Sequence, residues 1–301
     1  MDLMKENSFH ELVLVIKKVN VEPALFLYMI SSFMHFPVFQ SLIYQKACLQ
    51  LYDGDEIYCG NVTAANRDVA VQTLANHVFL FSSLCLLLPS MPTTVMLGTF
   101  GDLVSRKISL LLPLVGLVLS DLSYLIQCHF KHLDVYILLI SDLLFGIFGG
   151  FSALIASMFS YGADSTAVVN RSYRMALMEG SIGLGGMIGF LVSGPLLESA
   201  GFSAVFLVNI VIHTVVFAYV LLFVRELPPR HSSLCSAANI SRHAHFFSTV
   251  VAFFRLVETY LQQTCSTVVK TRHTHVRRCI VVVLMAFSVS YLVFSGAYPF
   301  V

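Results

Sequence analysis

Charged residues are scarce in this sequence. Asp, Glu, Lys and Arg make up 12% of its 301 residues, which is about half the share found in a typical globular protein. Apolar residues reach 57%, and the formal net charge is only +1. A soluble domain could not bury that much apolar surface, and there is no excess of positive charge to bind nucleic acid. The composition therefore predicts a protein that crosses a membrane several times.

Motifs of enzymes and metal sites are also missing. The seven cysteines include no C-x-x-C pair, and the chain has no G-x-S-x-G, P-loop or H-E-x-x-H motif. Two histidine pairs, His243 with His245 and His273 with His275, have no cysteine or acid arrangement nearby that would complete a metal site. We therefore expect neither an enzyme nor a bound metal or other cofactor.

Apolar stretches long enough to cross a bilayer, which takes about 20 residues, occur seven times. They lie at 23–45, 77–98, 108–127, 134–160, 173–197, 203–224 and 278–300. Residues 1–22 lack the apolar core of a signal peptide and predict a cytoplasmic tail. Residues 225–277 predict a basic cytoplasmic linker, in which apolar residues from Phe246 to Leu261 recur at helical spacing and indicate an amphipathic helix. The expected fold is all-α, with six spans over 23–224 and a seventh over 278–301.

The positions of lysine and arginine predict the orientation, since these residues collect in cytoplasmic segments. With a cytoplasmic N-terminus, all but three of the 18 lysines and arginines lie inside. The three exceptions are Lys46, Arg67 and Lys131. The first outer loop, 46–76, then contains Asn61-Val62-Thr63, which predicts glycosylation of Asn61 on the lumenal side. The sequons at Asn170 and Asn239 fall inside and should remain unmodified.

A polar turn lies between the second and third spans. The run Gly98-Thr-Phe-Gly-Asp102-Leu-Val-Ser105-Arg106-Lys107 resembles the major facilitator superfamily signature G-x-x-x-D-x-x-G-R-[RK]. Basic residues anchor such a turn at anionic headgroups, and Asp102 can hold the hairpin against a neighbouring helix until a carrier changes state. The alternative is an ordinary basic loop. Ser105 stands where the signature has glycine, and we expect it to strain the turn slightly.

The fifth span contains an acid at a depth where a charge is costly. Glu179 lies about 9 Å inside the cytoplasmic end of the helix, and Gly183 and Gly186 follow on the same face. Because glycine faces let helices approach closely, we expect Glu179 to point into the bundle. An acid in that position can accept a coupling proton. The alternative is a structural acid permanently paired with a buried base or hydroxyl.

Two longer runs are similar to the proton-coupled folate transporter family, solute carrier family 46. They are GGFSALIASMFSYGAD at 149–164 and RSYRMALMEGSIGLGGM at 171–187, and the resemblance extends patchily over 21–300. It implies a major facilitator bundle in which Glu179 matches the proton-coupling glutamate. It also implies a conformational switch made by Asp102, Arg106 and Asp164.

The sequence departs from that family in several places. The seventh span lacks the family's histidine, Asp142 replaces a basic residue of span four, and spans eight to twelve are absent. The resemblance therefore implies a C-terminally truncated chain. The family's disulfide partner for Cys59 lies beyond span seven, so we expect an unpaired Cys59 in preference to a bridge with Cys48 or Cys128.

Two further acids and two histidines lie within the spans. Asp121 and Asp142 can each line the substrate path or pair with a serine or tyrosine such as Tyr124. His35 is a candidate for lining the cavity, because the family has a polar pore residue nearby. For His35 and His213 alike, a neutral, hydrogen-bonded core histidine is the more common case.

The function expected from these residues and the resemblance is proton-coupled transport of a bulky organic anion, with a folate or pterin as the first candidate. The expected partners are the anion, protons and membrane lipid. Other anionic cargo of the same family, such as a cyclic dinucleotide, a muropeptide or a haem-like molecule, fits equally well. A truncated membrane protein that does not transport is a further alternative. We expect the plasma membrane in preference to a lysosomal or endosomal membrane.

Overall fold

The computed structural model describes residues 21–52, 55, 58–59, 68–130 and 133–227. The predicted tail before residue 21, the sequon at Asn61, the linker beyond residue 227 and the seventh span lie outside these ranges. Within them the chain forms helices and turns and no strand, which agrees with the all-α fold expected from the apolar stretches.

Six α-helices and two short 3₁₀ helices make up the described part of the chain. The α-helices are α1 (Glu22–Leu51), α2 (Val69–Leu103), α3 (Arg106–His129), α4 (Leu138–Ile147), α5 (Gly150–Asp164) and α6 (Arg171–Phe223), and the 3₁₀ helices are Val135–Ile137 and Val168–Asn170. Joined where they are continuous, the described residues give five helical segments that are long and apolar enough to cross a membrane. The last of these has 56 residues, far more than the roughly 20 that one crossing needs.

The long helix α6 is in fact two antiparallel arms. Gly201 has φ 77° and ψ 177°, a conformation that favours glycine, and it separates a first arm (171–200) from a second arm (202–223). Met178 of the first arm and Val220 of the second pack in one apolar cluster with the beginning of α1. Leu197 and Phe202, on either side of the break, pack in another cluster with the end of α1. The chain therefore reverses at Gly201, and the two arms correspond to the fifth and sixth predicted spans.

The fourth predicted span, 134–160, is not one continuous helix. Gly149 and Gly150 have φ values of 104° and 62°, and the helix breaks there into α4 and α5. The Thr93 and Thr94 hydroxyls of α2 donate hydrogen bonds to the carbonyl oxygens of Ile147 (3.2 Å) and Gly149 (3.3 Å). Neighbouring helices commonly satisfy backbone groups freed by such a break in a membrane. The apolar pattern alone gave no indication of it.

Local sequence explains where the helices begin. Pro23 lies in the first turn of α1, where a missing N–H costs nothing. The Asp68 side chain accepts a hydrogen bond from the Ala70 N–H (2.8 Å) at the start of α2, and the Ser105 hydroxyl accepts one from the Ile108 N–H (3.1 Å) at the start of α3. Both are ordinary N-cap contacts.

The interior of the bundle has an apolar cluster near each end and a polar layer between them. The inner cluster lies at the end that contains the turn between α2 and α3, which the sequence predicts to be cytoplasmic, and the outer cluster lies at the opposite end. On α1, Met29 belongs to the inner cluster and Met34 to the outer one, with the buried Ser31 between them. On α3, the buried Asp121 lies between Leu117 of the inner cluster and Tyr124 of the outer. The second arm of α6 follows the same pattern, with Asn209 and His213 buried between Phe206 and Val216. Three helices thus place polar side chains at the same depth.

Candidate functional site

Arg106 joins three helices at the inner end of the bundle. Its guanidinium forms ion pairs with Asp102 at the end of α2 and with Asp164 at the end of α5, the latter at 2.5 Å. It also donates a hydrogen bond to the Ser160 hydroxyl of α5 (2.6 Å). The Arg106 side chain is 9% exposed, whereas Asp102 is 46% and Asp164 19% exposed. The three residues that the sequence proposed for a conformational switch are therefore in direct contact.

A small cavity of about 150 Å³ lies beside this arginine. Its lining consists of Thr94, Gly98, Asp102, Arg106, Ser109, Ala156, Ser157 and Ser160. The Ser109 hydroxyl donates to the Leu97 carbonyl oxygen (2.7 Å) and lies 3.3 Å from the Ser157 hydroxyl. Small and polar side chains thus separate α2, α3 and α5 at this end, where a tightly packed apolar contact would otherwise form.

The expectation that Ser105 strains the turn is wrong. Ser105 has φ −159° and ψ 117°, which is extended backbone that any residue adopts. Its hydroxyl caps α3 and also forms a short hydrogen bond to the Glu226 carboxylate. Lys107 donates to the Leu221 carbonyl oxygen (2.7 Å). The turn between α2 and α3 is therefore fixed to the second arm of α6 as well as to α5.

A second ion pair at the inner end was not anticipated from the sequence. Glu22, the first residue of α1, lies 2.9 Å from the Arg174 Nε and accepts a hydrogen bond from its Nη2 (3.1 Å). The two side chains are 13% and 10% exposed. This pair connects the first helix to the first arm of α6. The two residues are separated by 152 positions, so no local pattern in the sequence relates them.

Asp142 is held by two hydroxyl groups in the middle of the bundle. The Ser82 hydroxyl of α2 donates to Asp142 Oδ2 and the Tyr124 hydroxyl of α3 donates to Asp142 Oδ1, each at 2.5 Å. The pairing with Tyr124 was one of the two possibilities left open for this acid. Asp142 is 8% exposed and links α2, α3 and α4 through these bonds.

Asp121 pairs with histidines from two other helices. His213 Nδ1 of the second arm of α6 forms a short hydrogen bond with Asp121 Oδ2, and His35 Nδ1 of α1 lies 4.0 Å from Asp121 Oδ1. Asp121 and His213 are each 1% exposed, and the His35 side chain is 24% exposed. The His35 ring also packs against Phe39 and Phe206. The sequence identified all three polar residues but not the contact among them.

The position expected for Glu179 differs from the one observed. Its side chain is exposed on the surface of this bundle, and it makes no ion pair or hydrogen bond with a described residue. The glycines that pack closely on α1 are Gly185, Gly186 and Gly189, whereas Gly183 has no described atom within 4 Å of an added Cβ. Gly183 was therefore a poor guide to the packed face, and Glu179 lies at the edge of that face.

The outer end of α1 carries a disulfide bond. Cys48 and Cys59 are bridged, so the expectation that Cys59 is unpaired is wrong. The two cysteines are 11 residues apart, and the short connection after α1 brings them together. The Tyr52 hydroxyl donates a short hydrogen bond to Asp68, which raises the pKa of Tyr52 to about 12. The same bond, with the Ala70 N–H, lowers the pKa of Asp68.

The described residues contain no group of three or more His, Cys, Asp or Glu side chains arranged to hold a metal ion. The charged side chains of the two inner ion pairs and the buried Asp121 and Asp142 are instead bonded to partners on other helices. Their chemistry is that of ion pairs and proton-accepting side chains inside an apolar bundle.

Known proteins that the chain is similar to in sequence include two transporters. The proton-coupled folate transporter of Bos taurus is 28% identical over 204 residues, covering 66% of this chain and 44% of that protein. The lysosomal proton-coupled steroid conjugate and bile acid symporter SLC46A3 of Gallus gallus is 26% identical over 220 residues, covering 70% and 47%. The resemblance to solute carrier family 46 is thereby confirmed. Both relatives are named as transporters and not as enzymes, in agreement with the sequence-based expectation.

Solved structures support the same fold. The human organic anion transporter MFSD10 (TETRAN) superposes with a TM-score of 0.52 at 17% identity, covering 70% of this chain and 48% of that one. The chain spans less than half the length of each of these three proteins. The family model of the Major Facilitator Superfamily matches residues 22–301. With its apolar helices, this shows that the chain is a multi-pass membrane protein and belongs to the Major Facilitator Superfamily.

Proposed function

We propose that this chain provides the first half of a proton-coupled secondary carrier for a bulky organic anion. The observation that carries the proposal is the bridge made by Arg106 to Asp102, Asp164 and Ser160. A carrier alternates between states by moving helices as rigid bodies, and such a bridge can hold one state and release in the other. Asp102 is 46% exposed, so water can replace its contact at a small cost.

The domain organisation proposed for this function follows the sequence. Residues 1–22 form a cytoplasmic tail, 23–224 the six-span half, 225–277 a basic linker with an amphipathic helix, and 278–301 the seventh span. Alternating access about a midplane site needs a second bundle. We therefore propose that transport requires further spans, supplied by a longer form of the protein or by a second chain.

Glu179 is the proposed acceptor of the coupling proton. It is exposed on the surface of the described bundle, and we propose that this surface faces the transport pathway once a second bundle is present. An acid on such a surface exchanges its proton with water on one side at a time. Protonation removes its charge and lowers the cost of moving the helix past apolar neighbours.

The proposed cargo is a folate or pterin. The names of two relatives give folate as one cargo and steroid conjugates and bile acids as another. These cargo molecules share an anionic group on a bulky ring system. Cyclic dinucleotides, muropeptides and haem-like molecules have the same general chemistry and remain alternatives. The proposed location is the plasma membrane, which surface labelling of intact cells would test against an intracellular membrane.

Uptake of labelled folate by cells that express the protein tests this function. The 301-residue chain and the protein read from the complete transcript are compared at acid and neutral pH. We expect acid-stimulated uptake that Glu179→Gln abolishes. Glu198→Gln is the matched control, because Glu198 is an exposed acid on the same arm of α6 and should leave uptake unchanged. Uptake with an unchanged pH dependence in Glu179→Gln would contradict the role of Glu179, and no uptake by either form would contradict the function.

A further inference from the structure

The polar layer of the bundle contains a cluster of titratable side chains that takes no part in the proposed switch at the inner end. Asp121 and His213 are each 1% exposed and touch through Asp121 Oδ2 and His213 Nδ1. His35 Nδ1 lies 4.0 Å from the other carboxylate oxygen. An ionisable group at this depth in a membrane protein is costly. The cluster brings together α1, α3 and the second arm of α6.

The charges in this cluster do not cancel without a proton. One carboxylate and two neutral imidazoles have a net charge of −1, and a single added proton makes the cluster neutral. Among the described residues, the ion pairs of Asp121 are with His35 and His213 alone. No lysine or arginine of the described chain contacts it to compensate. A low dielectric therefore favours the form that has bound one proton.

One nitrogen of the cluster has no hydrogen-bond partner. His213 Nε2 is buried, and no described residue bonds to it. With Nδ1 bonded to the carboxylate, Nε2 is the position where the second ring proton is gained or lost. A buried ring nitrogen without a partner is uncommon in a histidine that only supports the fold. It is consistent with a group that changes protonation state.

The neighbours of the cluster supply hydroxyl groups and one further acid. From α1, the Tyr28 ring lies 5.9 Å from the His213 ring and the His35 ring packs on Tyr124 of α3 at 5.1 Å. Asp142 of α4 reaches the cluster only through Tyr124, whose hydroxyl bonds to it. These groups add no positive charge, so they do not replace the proton.

We propose that Asp121, His213 and His35 form a proton-binding site in the middle of the bundle, which binds one proton shared between the carboxylate and the imidazoles. This inference deepens the proposed function. It rests on that function in one respect, which is that the bound proton is a coupling proton. Binding at this site stabilises the contact between α3 and the second arm of α6 and makes the layer electrically neutral. The proton at Glu179 is a separate one, because Glu179 is not in contact with this cluster.

Proton counting on the purified chain tests the site without any cargo. The 301-residue chain in lipid nanodiscs is titrated from about pH 8 to pH 5, the range in which histidine changes charge. We expect Asp121→Asn to take up about one proton fewer per molecule than the unsubstituted chain, since the substitution removes the carboxylate whose charge the proton balances. Ser31→Ala is the control, because Ser31 is a buried, non-titrating residue of the same layer that bonds to Asn209. It should leave the count unchanged.

A second measurement does not depend on a substitution being tolerated. Nitrogen NMR of ring-labelled histidine in the unsubstituted chain should show one buried imidazole that gains a proton across the same pH range, and His213→Gln and His35→Gln identify the signals. An equal proton count in Asp121→Asn, or ring nitrogens of both histidines that keep one state throughout, would overturn the proposal. The proton count is repeated with Asp121→Asn in a chain that also has Glu179→Gln. The loss of about one proton caused by Asp121→Asn should persist there, which distinguishes the two sites. Absent folate uptake would contradict the proposed function and leave this result standing.

Discussion

At the scale of single residues, Arg106 has the contacts most directly open to test. We expect Arg106→Ala to destabilise the chain by about 1–3 kcal/mol, less than the 3–5 kcal/mol of a fully buried pair, because Asp102 is half exposed. Arg106→Lys should recover only part of this, since an ammonium cannot reproduce the planar guanidinium that reaches three acceptors. Unfolding of the purified chain by SDS in mixed micelles measures both changes.

The control for this prediction is Lys107→Ala. Lys107 is the adjacent base, and its described bond is to a backbone carbonyl, that of Leu221. Its removal should change the stability by less than about 0.5 kcal/mol. A double-mutant cycle between Arg106→Ala and Asp164→Asn should give a coupling of about 0.5–3 kcal/mol. Additive effects of the two substitutions would mean that the 2.5 Å contact does not hold α3 to α5.

At the scale of the helices, the first arm of α6 packs on α1 through glycine. A Cβ at Gly189 would lie 2.4 Å from the Ile30 carbonyl oxygen and 3.0 Å from the Met34 nitrogen, both backbone atoms of α1. Neither can move without shifting the whole helix. We expect Gly189→Ala to destabilise the chain by about 1–3 kcal/mol, the usual cost of overpacking, in the same SDS unfolding experiment.

Gly183→Ala provides the matched comparison on the same arm. An added Cβ there meets no described atom within 4 Å, and alanine favours a helix over glycine by up to about 1 kcal/mol. We expect this substitution to be neutral or stabilising. If both substitutions had the same effect, close contact between α1 and the first arm of α6 would not be the reason for glycine at position 189.

The helices could largely be predicted from the sequence because their cause is local. Long, mostly apolar stretches indicated each of the first six spans, and the spacing of Asp102 and Arg106 indicated the turn between α2 and α3. The contacts of Asp121 with His213 and of Glu22 with Arg174 could not be predicted, since they join residues 92 and 152 positions apart. The local signal of Asp121 and His213 was a lone polar side chain in an apolar stretch, whereas Glu22 and Arg174 lie among other polar residues at the starts of their helices.

The orientation of Glu179 shows a different limit of the sequence. Glycines occupy several faces of the same helix, and the sequence does not say which of them meets a neighbour. In the structure Gly185 and Gly189 approach the backbone of α1, whereas a Cβ added at Gly180 or Gly183 would meet no described atom within 4 Å. Helical periodicity gives the relative directions of these residues, but the packed face is decided by the position of α1.

At the scale of the whole molecule, the disulfide identifies the outer end of the bundle. Trypsin should release residues 47–67 as one peptide, since Lys46 and Arg67 flank it, and this peptide contains both Cys48 and Cys59. After removal of the glycan expected on Asn61, we expect mass spectrometry to find this peptide lighter than its reduced form by the two thiol hydrogens, and alkylated only after reduction. Cys59→Ser should make Cys48 reactive in the denatured, unreduced chain. A peptide joining Cys59 to a different cysteine would contradict the local bridge.

The orientation of the molecule follows from which end carries the charge. Arg106, Lys107 and Arg174 all lie at the inner end of the helices, together with Asn170 at the start of α6. Positive residues collect on the cytoplasmic side, so the opposite end, with the loop that contains Asn61, should face the lumen. We expect a glycan on Asn61, seen as a mobility shift that a glycosidase removes, because sequons are modified only on that side.

Substitution of the two sequons separates this orientation from its inverse. Asn61→Gln should abolish the mobility shift, and Asn170→Gln should leave it unchanged, because Asn170 lies beside the basic residues of the inner end. A shift that depends on Asn170 would mean that the bundle is inverted. A chain without any glycan would contradict the orientation as well if its 46–76 loop reacts with a membrane-impermeant reagent only once the plasma membrane alone has been opened, because that treatment exposes the cytoplasmic side. Since the Arg106 bridge lies at the opposite end from that loop, the same experiment decides on which side of the membrane the proposed switch operates.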